Sequence, residues 1–189
     1  DILYPAGEPS DPGVIYRTDI AQPVLFTFEY ALVTLLKHWG IKPDLVIGYS
    51  LGEFAAAHFS GVFSLEDALD IVVYRGKLMA ETPKGAMLSV PMSEEELKPL
   101  LPPDVSIAII NEPACIVSGP PESVDAVEKQ MRERRLMCIG LKADFAPHSA
   151  SMDEAVTLFR ERLNRVNFKP PAIPPVSCLT GRTVQPEEI

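Results

Sequence analysis

Apolar residues recur along the first part of this chain at helical spacing. Val24, Phe28, Ala31, Leu32, Leu35 and Trp39 predict one long amphipathic helix. Thr18 or Asp19 can cap it, Pro23 fits its first turn, and Gly40 stops it. His38 falls in the last turn, where a cation suits the helix dipole, so it reads as structural. The short apolar run Leu45 to Ile47 predicts a strand, and Ala-rich Gly52 to Phe59 a short helix. Ser64-Leu65-Glu66-Asp67 opens another helix with a capping-box pattern, continued through Leu69, Val72 and Val73 to about Ala80.

From Gly85 the periodicity changes. Ala86 to Pro91, Val105 to Ile110, Cys115 to Ser118 and Leu136 to Leu141 read as strands. Between them lie a short helix begun by Ser93 and Glu96, a turn at Asn111 to Ala114, and an amphipathic helix from Pro120 to Arg135. That helix carries Val124, Val127 and Met131 on one face. The order β-α-β-β-α-β is that of a ferredoxin-like unit. After it, Ser151 with Glu154 predicts a further capped helix through Leu158 and Leu163. Pro170 to Pro175 reads as an extended connector, Val176 to Leu179 as a last strand, and Asp1 to Arg17 as a loop. The predicted fold class is therefore α/β. A large α/β-hydrolase-like part with a parallel sheet (1–84 and 148–189) carries an inserted ferredoxin-like part (85–147).

Composition narrows the function classes. With 189 residues and 47% hydrophobic content the chain can bury a core in one or two domains. A formal net charge of -9 disfavours nonspecific nucleic-acid binding and anionic membranes. No uninterrupted apolar run approaches the ~20 residues that span a bilayer, and no basic leader precedes one. A cytoplasmic protein without nucleic-acid or membrane partners is expected. Cys115, Cys138 and Cys178 are widely spaced, form no metal pattern, and read as buried free thiols of a reducing compartment.

The candidate chemistry centres on Gly48-Tyr49-Ser50-Leu51-Gly52. Between an apolar strand and a helix, G-x-S-x-G has the form of a nucleophile elbow. The turn lifts the serine oxygen to the strand tip and aims the free N–H groups of the new helix at whatever it attacks. The same five residues also suit a tight turn with an inert serine. Arg75 would ordinarily face solvent, yet the adjacent Gly76 lets another group approach closely. His148 lies just ahead of a helix N-terminus, whose positive end keeps an imidazole neutral and available as a base. A plain surface histidine is the other reading. His58 reads as packed rather than catalytic.

Several landmarks occur in one order: Gly48 to Glu53, Tyr74-Arg75-Gly76-Lys77-Leu78-Met79, Gly85-Ala86-Met87, Asn111-Glu112-Pro113 with Val117-Ser118-Gly119, and His148-Ser149 ahead of Met152. Together they resemble the malonyl-CoA:acyl-carrier-protein transacylase family, especially the acyltransferase domains of polyketide synthases. The resemblance implies that Ser50 is the nucleophile and His148 the base that activates it. It also implies that Arg75 binds the free carboxylate of a malonyl-type group and that the Leu51 N–H serves the oxyanion. Asn111 and Tyr49 would line the pocket. No cofactor or metal is implied: malonyl-CoA is the acyl donor, and the phosphopantetheine thiol of an acyl carrier protein is the acceptor. Flanking domains of a multidomain synthase are the other expected partners.

The match has departures. The family usually has histidine where Tyr49 stands. Phe145-Ala146-Pro147-His148 matches neither the tetrapeptide typical of malonyl domains nor that of methylmalonyl ones. Leu51, where methylmalonyl domains often have glutamine, points to malonyl. The family's N-terminal Gly-Gln-Gly strand and its C-terminal third have no counterpart here, so the large part is expected to be incomplete at both ends. A serine hydrolase such as a thioesterase, or a degenerate scaffold domain, are the alternative functions. An acidic carrier would need a basic landing site. Lys129, Arg132, Arg134 and Arg135 form one cluster, and Arg160, Arg162 and Arg165 another; solvated helix faces explain each equally simply.

Overall fold

The structure, a computed structural model, describes residues 13–188. The predicted N-terminal loop lies outside them as far as residue 12. The chain forms two compact units: one runs to Leu78 and resumes at Phe159, and the other is Met79–Leu158.

The first unit contains α1 (Thr18–His38), β1 (Val46–Ile47), α2 (Gly52–Ser60), most of α3 (Leu65–Ala80), the end of α6 (Asp153–Leu163) and β6 (Pro175–Val176). β1 and β6 pair in parallel, Val46 with Pro175 and Ile47 with Val176. Its core gathers Phe26 of α1, Leu51 and Ala55 at the start of α2, and Ala68, Ile71 and Val72 of α3. Ser64 caps α3 as its sequence predicts, accepting the Asp67 N–H at 3.0 Å.

Helix α1 departs from its sequence pattern in three ways. Its N-cap is Arg17, without a side-chain cap bond, because Asp19 is engaged by the Arg17 guanidinium at 2.7 Å. Pro23 lies inside the helix rather than in its first turn. Most important, the buried positions are Thr18, Gln22 and Phe26, one helical turn apart, while Phe28 and Trp39 are 65% and 66% exposed. The packed face is set by close approach to α3. A Cβ on Gly76 would lie 2.9 Å from the Thr18 carbonyl oxygen, so that glycine lets the Thr18 stripe turn inward. No uninterrupted apolar run of bilayer length occurs, yet α1 passes as long and apolar enough by length and average composition, at a mean hydropathy of 1.2. Its charged residues interrupt the apolar run without lowering the average enough to exclude it.

The second unit contains β2 (Ala86–Val90), α4 (Glu94–Leu97), β3 (Ser106–Asn111), β4 (Ala114–Gly119), α5 (Pro121–Glu133) and β5 (Ile139–Leu141). The strands form one antiparallel sheet in the order β3-β4-β2-β5, the expected ferredoxin-like arrangement. Leu88, Val90, Cys115 and Val117 pack beneath Val124, Val127 and Met131 of α5. The Ser93 capping box is fully formed. Two strand limits differ from expectation. Leu136 still closes the end of α5, donating to the Met131 carbonyl at 3.0 Å. Ser177 begins a turn closed by the Gly181 N–H at 2.9 Å, so β6 ends at Val176. The three cysteines are free, but only Cys115 is buried, and Cys178 is exposed.

Met131 is fully buried. Met131→Ala should lower stability by about 2–5 kcal/mol, read as a reduced urea midpoint in equilibrium unfolding.

Candidate active site

The corner between β1 and α2 is very tight. A Cβ on Gly48 would lie 2.2 Å from the Glu53 nitrogen and 2.3 Å from the Gly52 oxygen, so no other residue fits there. Ser50 takes the left-handed conformation at φ 51°, which for a residue with a side chain stores strain. Gly52 is different: a Cβ there would meet only Glu29 Oε1, at an ordinary 3.7 Å. The steric demand therefore falls on one glycine of the motif, not both. The amides are also more committed than the sequence suggests. Gly52, Glu53 and Phe54 N–H groups donate to the Tyr49, Ser50 and Leu51 carbonyls at 2.9, 3.2 and 3.0 Å. The Leu51 N–H takes part in none of these bonds. The Leu51 side chain is buried, and Tyr49 is 59% exposed. Burial, then the neighbouring Cys178 thiol, pushes the Tyr49 hydroxyl upward in pKa. Glu53 Oε1 accepts the Cys178 N–H at 3.0 Å. Partial burial of the sulfur, then Glu53, raises the Cys178 thiol, while the Ser50 backbone acts the other way.

Arg75 is half-buried, which overturns the solvent-facing reading. Its guanidinium carbon lies 5.6 Å from the centroid of Phe54, in the first turn of α2. One of its five N–H donors is taken by Gln22 Oε1, and Gln22 Nε2 donates to Thr18 Oγ1 at 2.5 Å. Burial lowers the Arg75 pKa, but a guanidinium starts so high that it stays charged at neutral pH. Gln22 is the residue that sequence reasoning missed. Its signal was a polar residue one turn from Thr18 and one turn from Phe26, off the apolar stripe. Glu29 was missed as well. Its Oε1 faces Gly52, its Oε2 is buried without a hydrogen-bond partner, and burial raises its carboxyl pKa.

Asn111 and His148 belong to the second unit. Asn111 is exposed at the end of β3, paired with Ala114 across the hairpin. His148 is exposed and left-handed, at φ 57°. Ser149 Oγ donates to the Ala146 carbonyl at 2.7 Å across Pro147 and His148. Proline followed by a positive φ is the signature of a type II turn, with histidine in the place usually held by glycine. Ala146 is fully buried, and a Cβ on Gly85 would lie 2.3 Å from its nitrogen. Ser149, not the expected Ser151, caps the next turn by accepting the Ser151 N–H at 3.3 Å. His58 is packed as expected, with Nδ1 3.1 Å from the Phe63 carbonyl and its ring against Phe59. Arg162 of the second basic cluster is tied to Asp70 at 2.7 Å and lies over the Tyr74 ring. No metal-binding cluster occurs among the described residues.

Residues 7–189 match the model of the acyl transferase domain family. The chain belongs to that family. A relative, a phenolphthiocerol/phthiocerol polyketide synthase protein of Mycobacterium tuberculosis, is 37% identical over 92% of this chain. The chain spans 12% of that protein's length. Among solved structures, the acyl transferase domain of ZmaA superposes with a TM-score of 0.88 at 42% identity, covering 98% of this chain and 44% of that one. Malonyl CoA-acyl carrier protein transacylase from Burkholderia pseudomallei gives 0.84 at 30% identity, covering 93% and 63%. This acyl transferase chain is thus similar to parts of polyketide synthases and to a malonyl CoA-acyl carrier protein transacylase.

The two glycines of the motif should behave differently. Gly48→Ala should destabilise by about 3 kcal/mol or more, because backbone must move. Gly52→Ala should stay within about 1 kcal/mol of the parent, since the added methyl makes only ordinary contacts. Thermal unfolding of the two variants side by side reads the difference.

Proposed function

We propose that this acyl transferase chain moves a malonyl-type group from coenzyme A to Ser50, and from Ser50 to the phosphopantetheine thiol of an acyl carrier protein. His148 takes the Ser50 proton as the hydroxyl oxygen bonds to the thioester carbonyl carbon. As the tetrahedral intermediate collapses, the carbon–sulfur bond breaks and His148 returns the proton to the departing coenzyme A thiolate. The second half-reaction reverses the roles. His148 deprotonates the carrier thiol, sulfur attacks the seryl ester, and Ser50 recovers its proton. The developing oxyanion meets the Leu51 N–H, which is not among the amides bonded within the elbow's own turn.

The observation that carries the reading is the held guanidinium of Arg75, set against the first turn of the elbow helix by Phe54 and Gln22. A carboxylate-bearing acyl group needs a fixed cation; a plain ester hydrolase does not. Leu51 favours malonyl over a branched extender, and Asn111 and Tyr49 line the pocket. The setting is a cytoplasmic synthase with flanking domains and a carrier.

The test is intact-protein mass spectrometry of the full-length protein after exposure to isotope-labelled malonyl-CoA. A stable acyl group on Ser50, lost in Ser50→Ala, supports the transferase. Rapid release of free malonate points to a hydrolase, and no label at all to a scaffold. Arg75→Ala should cut malonyl loading by about 10- to 100-fold, the scale of one charge-assisted hydrogen-bonded pair, while sparing acetyl loading. Gln22→Ala should lower malonyl loading by a smaller factor, about three- to tenfold, because the cation remains but is no longer oriented.

A further inference from the structure

The two outer strands of the antiparallel sheet are built differently. β3 is bent by a register shift between Ile107 and Ile109, a device that makes an edge a poor template for another chain. β5 is short, at three residues, but has no bulge. Met137-Cys138-Ile139-Gly140-Leu141 contains no charge and no proline. One side of β5 pairs with β2, Met87 with Leu141 and Ser89 with Ile139. Among the described residues no strand pairs with its other side. Met137 and Ile139 are 85% and 63% exposed. A Cβ on Gly140 would meet nothing within 4 Å, so the sheet face is open at that point. Natural sheets rarely leave such an edge bare.

The surroundings say what kind of chain it suits. A cleft of about 290 Å³ lies just ahead of β5, lined by Glu128, Arg132 and Arg135 at the end of α5 together with Leu136, Met137 and Cys138. Arg134 and Lys142 are exposed nearby. Arg132 is shared with Glu128 across 2.9 Å of open surface, and Glu133 and Asp144 are the other acids close by in sequence. In a chain of net charge -9 this is a local excess of cations, placed beside an apolar strand edge.

We propose that the outer edge of β5 accepts an extended acidic peptide segment with alternating apolar side chains, which adds as a fifth strand. The β5 backbone supplies the ladder hydrogen bonds, and Ile139 and Met137 supply apolar contacts on one face. Arg132 and Arg135 pair with the incoming carboxylates. Main-chain pairing gives the contact, and charge selects the partner.

A fluorescently labelled octapeptide alternating glutamate and valine is the probe, with its lysine–valine counterpart as control, titrated into the full-length protein. The glutamate peptide should bind and slow amide exchange over residues 138–141 by about tenfold, and about 0.5 M salt should weaken it. The lysine peptide should do neither. Arg132→Gln combined with Arg135→Asn, where asparagine suits the φ of 64° at that site, should weaken the glutamate peptide by roughly three- to tenfold with unfolding unchanged. The glutamate peptide N-methylated at alternate residues keeps its charge but loses ladder donors, and should not bind. Equal binding of the two charge types, full binding of the N-methylated form, or unchanged exchange in β5 would overturn the proposal. So would concentration-dependent protection of β5 by a second copy of the protein.

Discussion

A strand that becomes a helix within a few residues leaves room for only one backbone at the corner, and Gly48 is where that room is found. The absent side chain lets the start of α2 close to within van der Waals distance of the strand, and that closure forces Ser50 into a left-handed conformation. From there the rest of the first unit follows. The first turn of α2 places Phe54 under the Arg75 guanidinium, Leu51 and Ala55 enter the core, and the Gly52, Glu53 and Phe54 amides are consumed within the turn. Strain of this kind persists only where surrounding packing over-determines it. Among the described residues three that are not glycine have positive φ, and Ser50 and His148 are two of them. The proposed nucleophile and base are thus each held in a conformation that a relaxed chain would abandon.

Short-range signals were well read from the sequence because their causes are local. Ser64 and Ser93 cap the helices that follow them, since the bonded groups are only three residues apart. The ferredoxin-like order was visible because alternation, turn residues and one strongly amphipathic helix all agree on it. The elbow was visible because a single tight turn dictates its glycine. What escaped was set by distant contacts. The apolar stripe of α1 looked like its buried face, yet the close approach at Gly76 turns Thr18, Gln22 and Phe26 inward instead. The same contact explains why Arg75 seemed a surface residue: its hydrogen-bond partner is 53 positions away. Ser151 fits a capping pattern, but the chain enters the helix through a preceding short turn whose cap is Ser149, with its hydroxyl anchored on the Ala146 carbonyl.

Polar groups in the first unit are arranged around the elbow with unequal satisfaction. Gln22 joins Thr18 to Arg75, so both ends of its amide are used. Glu29 approaches the same helix start from α1 with one buried oxygen unpaired, and its carboxyl is correspondingly reluctant to ionise.

The loop that carries His148 is held most tightly at Ala146. Gly85 and Ala146 press together with no room between them, and the chain bridges again between Lys84 and Phe145. Side-chain variety in the tetrapeptide is therefore unevenly distributed. Phe145 and Pro147 flank the pinned residue and are only partly buried, so they can diverge between relatives and reshape the space near the imidazole. Ala146 cannot grow without prising the loop from its strand. The tetrapeptide thus has two positions that packing leaves free to vary, on either side of a fixed rivet.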